Sequence, residues 1–97
     1  MGKLENCAEL FLHKQICHAG GDTYKFVSPG RRYVPDRIVL LNSKVWFVEV
    51  KALGIEVSGR QEMEINKLTR TGFNACGVSG IDGVKEFLSK EFGINFK

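Results

Sequence analysis

The sequence predicts an α/β domain in which a mixed central sheet is flanked by helices, in the order helix, three strands, helix, strand, helix. Three observations carry this expectation. Apolar residues recur at helical steps near the start of the chain, two strand-sized apolar runs sit side by side in its middle, and a helix-capping motif opens its second half. The 97 residues, 43% apolar and 26% charged, suit one domain over residues 1–97, whose core needs no metal or disulfide staple.

Over residues 3–18, Leu4, Ala8, Phe11, Leu12 and Ile16 fall at three- and four-residue steps, which is one face of a helix. Ala19-Gly20-Gly21-Asp22 ends it. Residues 23–27 are aromatic and β-branched and read as a strand, followed by the loop Ser28-Pro29-Gly30-Arg31-Arg32. Residues 34–41 and 44–51 are two further strands, with Asn42-Ser43 as a tight hairpin turn. Both faces of that hairpin are apolar. Ile38, Leu40, Val45 and Phe47 line one, and Val39, Leu41, Trp46, Val48 and Val50 the other, so helices are expected on both sides. Ser58-Gly59-Arg60-Gln61 has the spacing of a capping box and opens a helix that Gly72 stops. Residues 75–78 form a short strand. The last helix turns Val84, Phe87 and Leu88 inward and stops at Gly93.

Lys plus Arg number 14 against 11 Asp plus Glu, a net charge of +3 that permits a polyanionic partner without establishing one. The odd count of cysteines (Cys7, Cys17, Cys76) and the lack of a signal-peptide pattern point to a reduced, cytoplasmic protein. No apolar run approaches the roughly 20 residues that span a bilayer, so no membrane partner is expected.

Strands buried on both faces should be apolar throughout, yet Asp36 begins one strand of the hairpin and Glu49 and Lys51 end the other. A two-residue turn pairs Leu41 with Lys44 and sets Asp36 opposite Glu49. By strand alternation Lys51 shares that face while Val50 points away. Two carboxylates held together repel unless a cation lies between them, and an all-oxygen set suits Mg²⁺ or Mn²⁺. With an adjacent lysine, such a cluster can bind a scissile phosphate, acidify a water and stabilise a pentavalent transition state. The spacing alone equally permits a cross-strand ion-pair cluster at a sheet end.

Pro35-Asp36, twelve residues, then Glu49-Val50-Lys51 resembles the motif of the PD-(D/E)XK nuclease superfamily. Ser28-Pro29-Gly30-Arg31-Arg32, Phe47-Val48-Glu49-Val50-Lys51 and Ser58-Gly59-Arg60-Gln61 resemble, in order and spacing, the VRR-NUC (virus-type replication-repair nuclease) family, over about residues 5–78. The resemblance implies a restriction-endonuclease-like fold and a metal-dependent, structure-selective DNA endonuclease of the stand-alone phage or bacterial type. It implies a homodimer acting on branched DNA such as four-way junctions. Asp36, Glu49 and the Val50 carbonyl would hold Mg²⁺ or Mn²⁺, and Lys51 would be the catalytic lysine. Tyr33 departs from the pattern, which has glycine before Val-Pro-Asp.

The family pattern also places a glutamate on the first helix and a glutamine after the lysine. On a helical wheel Glu5 lies roughly 60° from the centre of the apolar stripe and Glu9 roughly 100°, which favours Glu5 as catalytic acid and metal ligand. A solvated acid in the helix's first turn is the plain alternative. Gln61 faces the sheet by its helical phase, or it only closes the capping box with Ser58. Arg31, Arg32 and Arg37 flank the site as candidate phosphate contacts, against the plain reading of a solvated loop. Lys25 would face the substrate or guard an edge strand.

His13 and Cys17 stand at i and i+4 on the first helix, with His18 and Cys7 nearby, which raises the question of zinc. No Cys-x-x-Cys pair accompanies them, so the cysteines read as packing residues. Neither a Cys–His nucleophile nor a glycine-rich phosphate loop is indicated. A catalytically silent nucleic-acid-binding module of the same fold, or an ion-paired adaptor, would be the competing functions.

Overall fold

The computed structural model describes residues 3–96, with side chains from Asn6 onward. Helix α1 (Lys3–His18) fully buries Ala8, Leu12 and Ile16, which stand four residues apart and so form one line along the helix. It ends in a Schellman-type turn. Gly20 is left-handed at φ +99°, and the amides of Gly20 and Gly21 donate to the carbonyls of Cys17 and Ile16. A Cβ at Gly21 would run into the Leu40 carbonyl, so the chain can pass this close to the sheet only as glycine.

The sheet has the order β1-β2-β3-β4. Strands β1 (Asp22–Lys25), β2 (Arg37–Leu41) and β3 (Lys44–Lys51) are antiparallel in succession, while β4 (Asn74–Ser79) runs parallel to β3. That parallel pair requires a crossover, which α2 (Gly59–Arg70) supplies while packing on β4. Helix α3 (Gly80–Phe92) follows β4, stops at left-handed Gly93, and lies beside α1. Among the described residues no helix is long and apolar enough to cross a membrane.

Asn42 and Ser43 both have positive φ (53° and 63°), the twist of a two-residue type I′ turn, and Leu41 pairs with Lys44. The expected register holds. Val39, Leu41, Val48 and Val50 therefore face α1 and α3, closing a core with Val78, Val84, Phe87 and Leu88.

Four expectations are corrected. The second sheet face is only partly covered, because α2 sits over β4: Ile38, Leu40 and Phe47 are half-buried and Val45 is exposed. Strand β2 begins at Arg37 rather than residue 34, since Tyr33 is left-handed and Pro35 has no amide to join a ladder. Strand β1 ends at Lys25, and Val27 is exposed beyond it. The cysteines are not a set of packing residues either: Cys7 and Cys17 are exposed, and Cys76 is half-buried.

Burial pushes the Cys76 thiol up to about 12, with Glu91 adding to the rise and Lys90 opposing it. Its contribution to stability is complete below the unfolded value of 9.0 and is lost as pH rises toward 12, where only the unfolded thiol ionises readily. With an alkylating reagent at mildly alkaline pH, we expect Cys7 to react first. Cys17 should be slower, since desolvation and the Asp22 carboxylate raise its thiol, and Cys76 should react only on unfolding. Mass spectrometry of the modified peptides over time measures that order.

Candidate active site

Asp36 stands one residue before β2, where the antiparallel ladder with β3 has run out. Its carbonyl accepts from the Phe26 amide (2.8 Å), and its Oδ2 accepts from the Val50 amide (3.0 Å). A side chain thus replaces the missing strand partner and pins the carboxylate against the end of β3. Val50 is wholly buried on the core side, so its neighbours Glu49 and Lys51 project from the opposite face. Glu49 is 2% exposed, and Lys51 Nζ lies 3.5 Å from its Oε2. Lys51 also borders an open cleft of 730 Å³ that reaches Val57 and Asn66.

Gln61 joins two jobs. Its Oε1 accepts from the Ser58 amide (2.9 Å) while its own amide donates to Ser58 Oγ (3.2 Å), the reciprocal capping box that starts α2. Its Nε2 donates to Glu49 Oε2 (2.8 Å). The cap and the site contact are therefore compatible, because the carboxamide has an acceptor end for one and a donor end for the other.

On the α1 side, Glu9 is 4% exposed and its Oε2 accepts from Arg37 Nε at 2.7 Å, with Lys25 Nζ at 3.9 Å. Desolvation pushes the Asp36 carboxyl above the usual range. The Val50 amide, Lys51 and Lys25 hold it down, while the Glu9 charge adds to the rise. The donor set at this end of the sheet is carboxylate oxygen from Asp36 and Glu49, with Glu9 close enough to act on Asp36. That chemistry fits a hard divalent cation. The arrangement can hold such an ion, a phosphate beside it, and an ammonium group at the reacting centre.

No protein-family model matches the chain. Two solved structures share the fold: one described as a VRR_NUC domain (TM-score 0.80, 22% identity, covering 94% of this chain and 99% of that one), and a VRR_NUC domain protein (TM-score 0.72, 14% identity, covering 98% and 93%). "Putative nuclease p44" of Acyrthosiphon pisum secondary endosymbiont phage 1 is 46% identical over 69 residues, 70% of this chain and 74% of the relative. The chain belongs to the VRR-NUC nuclease family.

Of the two first-helix glutamates, Glu9 is the one whose described side chain lies at this end of the sheet. Glu5 was the favoured candidate, and its side chain lies outside the described residues. Phe11 is only half-buried, and the buried line through Ala8, Leu12 and Ile16 lies roughly 60° from Glu9, near enough for its carboxylate to reach the sheet end. Tyr33, in place of the family glycine, adopts φ 63°, a conformation that glycine takes without strain. The Tyr33 ring lies under the Arg60 guanidinium at 5.6 Å.

The arginines separate by role. Arg37 is held by Glu9 and is only 21% exposed, so its guanidinium is committed inside the protein rather than offered to a phosphate backbone. Arg31 is about half-exposed and reaches Glu64 on α2 (3.5 Å), and Arg32 is exposed. Lys25 is exposed on the edge strand β1 and still near Glu9, so both of its expected roles are open to it.

Removing Arg37 would strand a buried carboxylate. Arg37→Ala is expected to lower stability by about 2–3 kcal/mol, under the full value for a buried pair because the guanidinium is partly exposed, while Arg32→Ala stays within about 0.5 kcal/mol. Urea denaturation of both variants measures the contrast. Gln61→Ala is expected to lower stability by about 1 kcal/mol, as for a lost cap, and to reduce nuclease turnover about tenfold at a temperature where it is fully folded. Unchanged turnover would reduce Gln61 to a cap.

Proposed function

We propose that this VRR-NUC nuclease is a Mg²⁺- or Mn²⁺-dependent endodeoxyribonuclease selective for branched DNA, with the four-way (Holliday) junction as leading substrate. The observation that carries the reading is the convergence of Asp36, Glu49 and Lys51 at one end of the β2–β3 hairpin, with Gln61 fixed on Glu49. Asp36, Glu49 and the Val50 carbonyl would hold the ion, joined by a first-helix glutamate: Glu9 by its position, or Glu5. Bound there, the ion supplies Lewis-acid polarisation of the scissile phosphate and acidifies the attacking water.

The chain's own groups do the rest. The Val50 amide fixes the Asp36 carboxylate, and Gln61 fixes the Glu49 carboxylate, so both oxygen donors are oriented before substrate arrives. Lys51 presents an ammonium beside Glu49, placed to orient the nucleophile and to balance charge on the pentavalent phosphorus. Arg31 and Arg32 lie on the exposed loop before Asp36, where phosphates of the approaching strand can be gripped. A domain this small carries one such cluster, so incising two opposed strands of a junction calls for a homodimer with two-fold-related sites. A silent binding module would have no need of a preorganised lysine and two oriented carboxylates, which disfavours that alternative.

Asp36→Asn, Glu49→Gln and Lys51→Ala are each expected to lower cleavage at least a hundredfold with circular dichroism unchanged. Chelation should abolish turnover, and Mg²⁺ or Mn²⁺ should restore it. Assayed on junction, flap, splayed and linear duplex DNA, the enzyme should nick junctions at symmetry-related positions, and light scattering should give twice the chain mass. Wild-type turnover by a folded variant would overturn the site assignment. A monomer that cuts linear duplex as readily as junctions would overturn the substrate and the assembly.

A further inference from the structure

On the side of α1 that carries Glu9, the next two turns present His13 and then Cys17, and neither takes part in the nuclease site. The Schellman-type turn at residues 19–21 folds the chain back so that Asp22, the first residue of β1, meets them. The ligand-type atoms of His13, Cys17 and Asp22 all lie within 4.8 Å of one another. Cys17 Sγ is 3.6 Å from His13 Nε2 and 3.8 Å from Asp22 Oδ1. With Zn–S about 2.3 Å and Zn–N or Zn–O about 2.0 Å, a tetrahedral site has ligand–ligand edges of about 3.5 Å, so both observed edges are within a few tenths of an ångström of a zinc polyhedron.

Each of the three groups is also oriented from behind. His13 Nδ1 is 2.6 Å from the buried Thr23 hydroxyl, which leaves Nε2, the ring nitrogen nearer Cys17 Sγ (3.6 Å against 4.0 Å for Nδ1), as the one available to a metal. Asp22 Oδ1 accepts from the Thr23 amide at 2.8 Å, which sets the carboxylate rotamer. Cys17 is tied to His13 by helical phase and to Asp22 through a turn that only glycine permits at residue 21.

We infer that His13, Cys17 and Asp22 form a second metal site, selective for Zn²⁺ over the hard cations of the nuclease centre, that clamps the end of α1 to the start of β1. Nitrogen and thiolate donors set the selectivity. Binding releases the Cys17 thiol proton to solvent, and water takes the fourth position on the exposed side. The clamp lies two helical turns from Glu9 and holds the helix that presents it.

The test is Co²⁺ titration of the reduced full-length protein, followed by displacement with Zn²⁺. A thiolate-to-Co²⁺ charge-transfer band at one equivalent, with tetrahedral d–d bands, is expected. The all-oxygen nuclease centre cannot give that band, so this result is separate from metal dependence of cleavage. Cys17→Ser should abolish the band, Asp22→Asn should weaken Co²⁺ binding at least tenfold, and Cys7→Ser should change neither. A hundredfold excess of Zn²⁺ over its Kd should raise Tm by on the order of 10 °C in the wild type and by much less in Cys17→Ser. No charge-transfer band in the wild type, or a band that survives Cys17→Ser and vanishes with Cys7→Ser, would overturn the assignment.

Discussion

Strand parity in the β2–β3 hairpin governs both the core and the proposed nuclease centre. The two left-handed residues at Asn42 and Ser43 fix the pairing, and from there alternate residues of β3 must point to opposite faces. Val48 and Val50 go under α1 and α3, and Glu49 and Lys51 go to the other side. A slip of one residue would drive a carboxylate and an ammonium into the core and expose two fully buried valines. The apolar packing that stabilises the fold therefore also enforces the position of the site.

Burying charge at a sheet end is costly unless each group is held. Here Glu49 is met by the Gln61 carboxamide and Lys51, Glu9 by Arg37, and Asp36 by a backbone amide. The fold so brings Asp36, Glu49 and Glu9 to one end of the sheet, each carboxylate met by a cation or a hydrogen-bond donor. Burial is the main reason the Asp36 carboxyl is raised, with the Glu9 charge adding to the rise, and a divalent ion would offset that repulsion more fully than a monovalent group can.

Helix α1 ties these features together along its length. Glu9 serves the sheet end, while His13 and Cys17 face the turn into β1, and the line of Ala8, Leu12 and Ile16 sets the rotation that presents them. The half-open second sheet face is the complement of this asymmetry, since α2 is drawn over β4 by the crossover and by its capping residue's contact with Glu49.

Much of this was local and hence legible in the sequence. The two-residue turn, the period-two alternation of β3, the helix stops at Gly72 and Gly93 and the capping box each depend on a few neighbouring residues, so Glu49, Lys51 and Gln61 could be placed in advance. Asp36 was found as a residue, but its bond to the Val50 amide was not, because it forms only where a ladder ends. The pairing of Arg37 with Glu9 and the meeting of Asp22 with His13 and Cys17 were decided by the tertiary structure. They depend on how far α1 is rotated about its axis when it docks, and a shift of tens of degrees exchanges one side chain for its neighbour without changing the apolar pattern that the sequence displays.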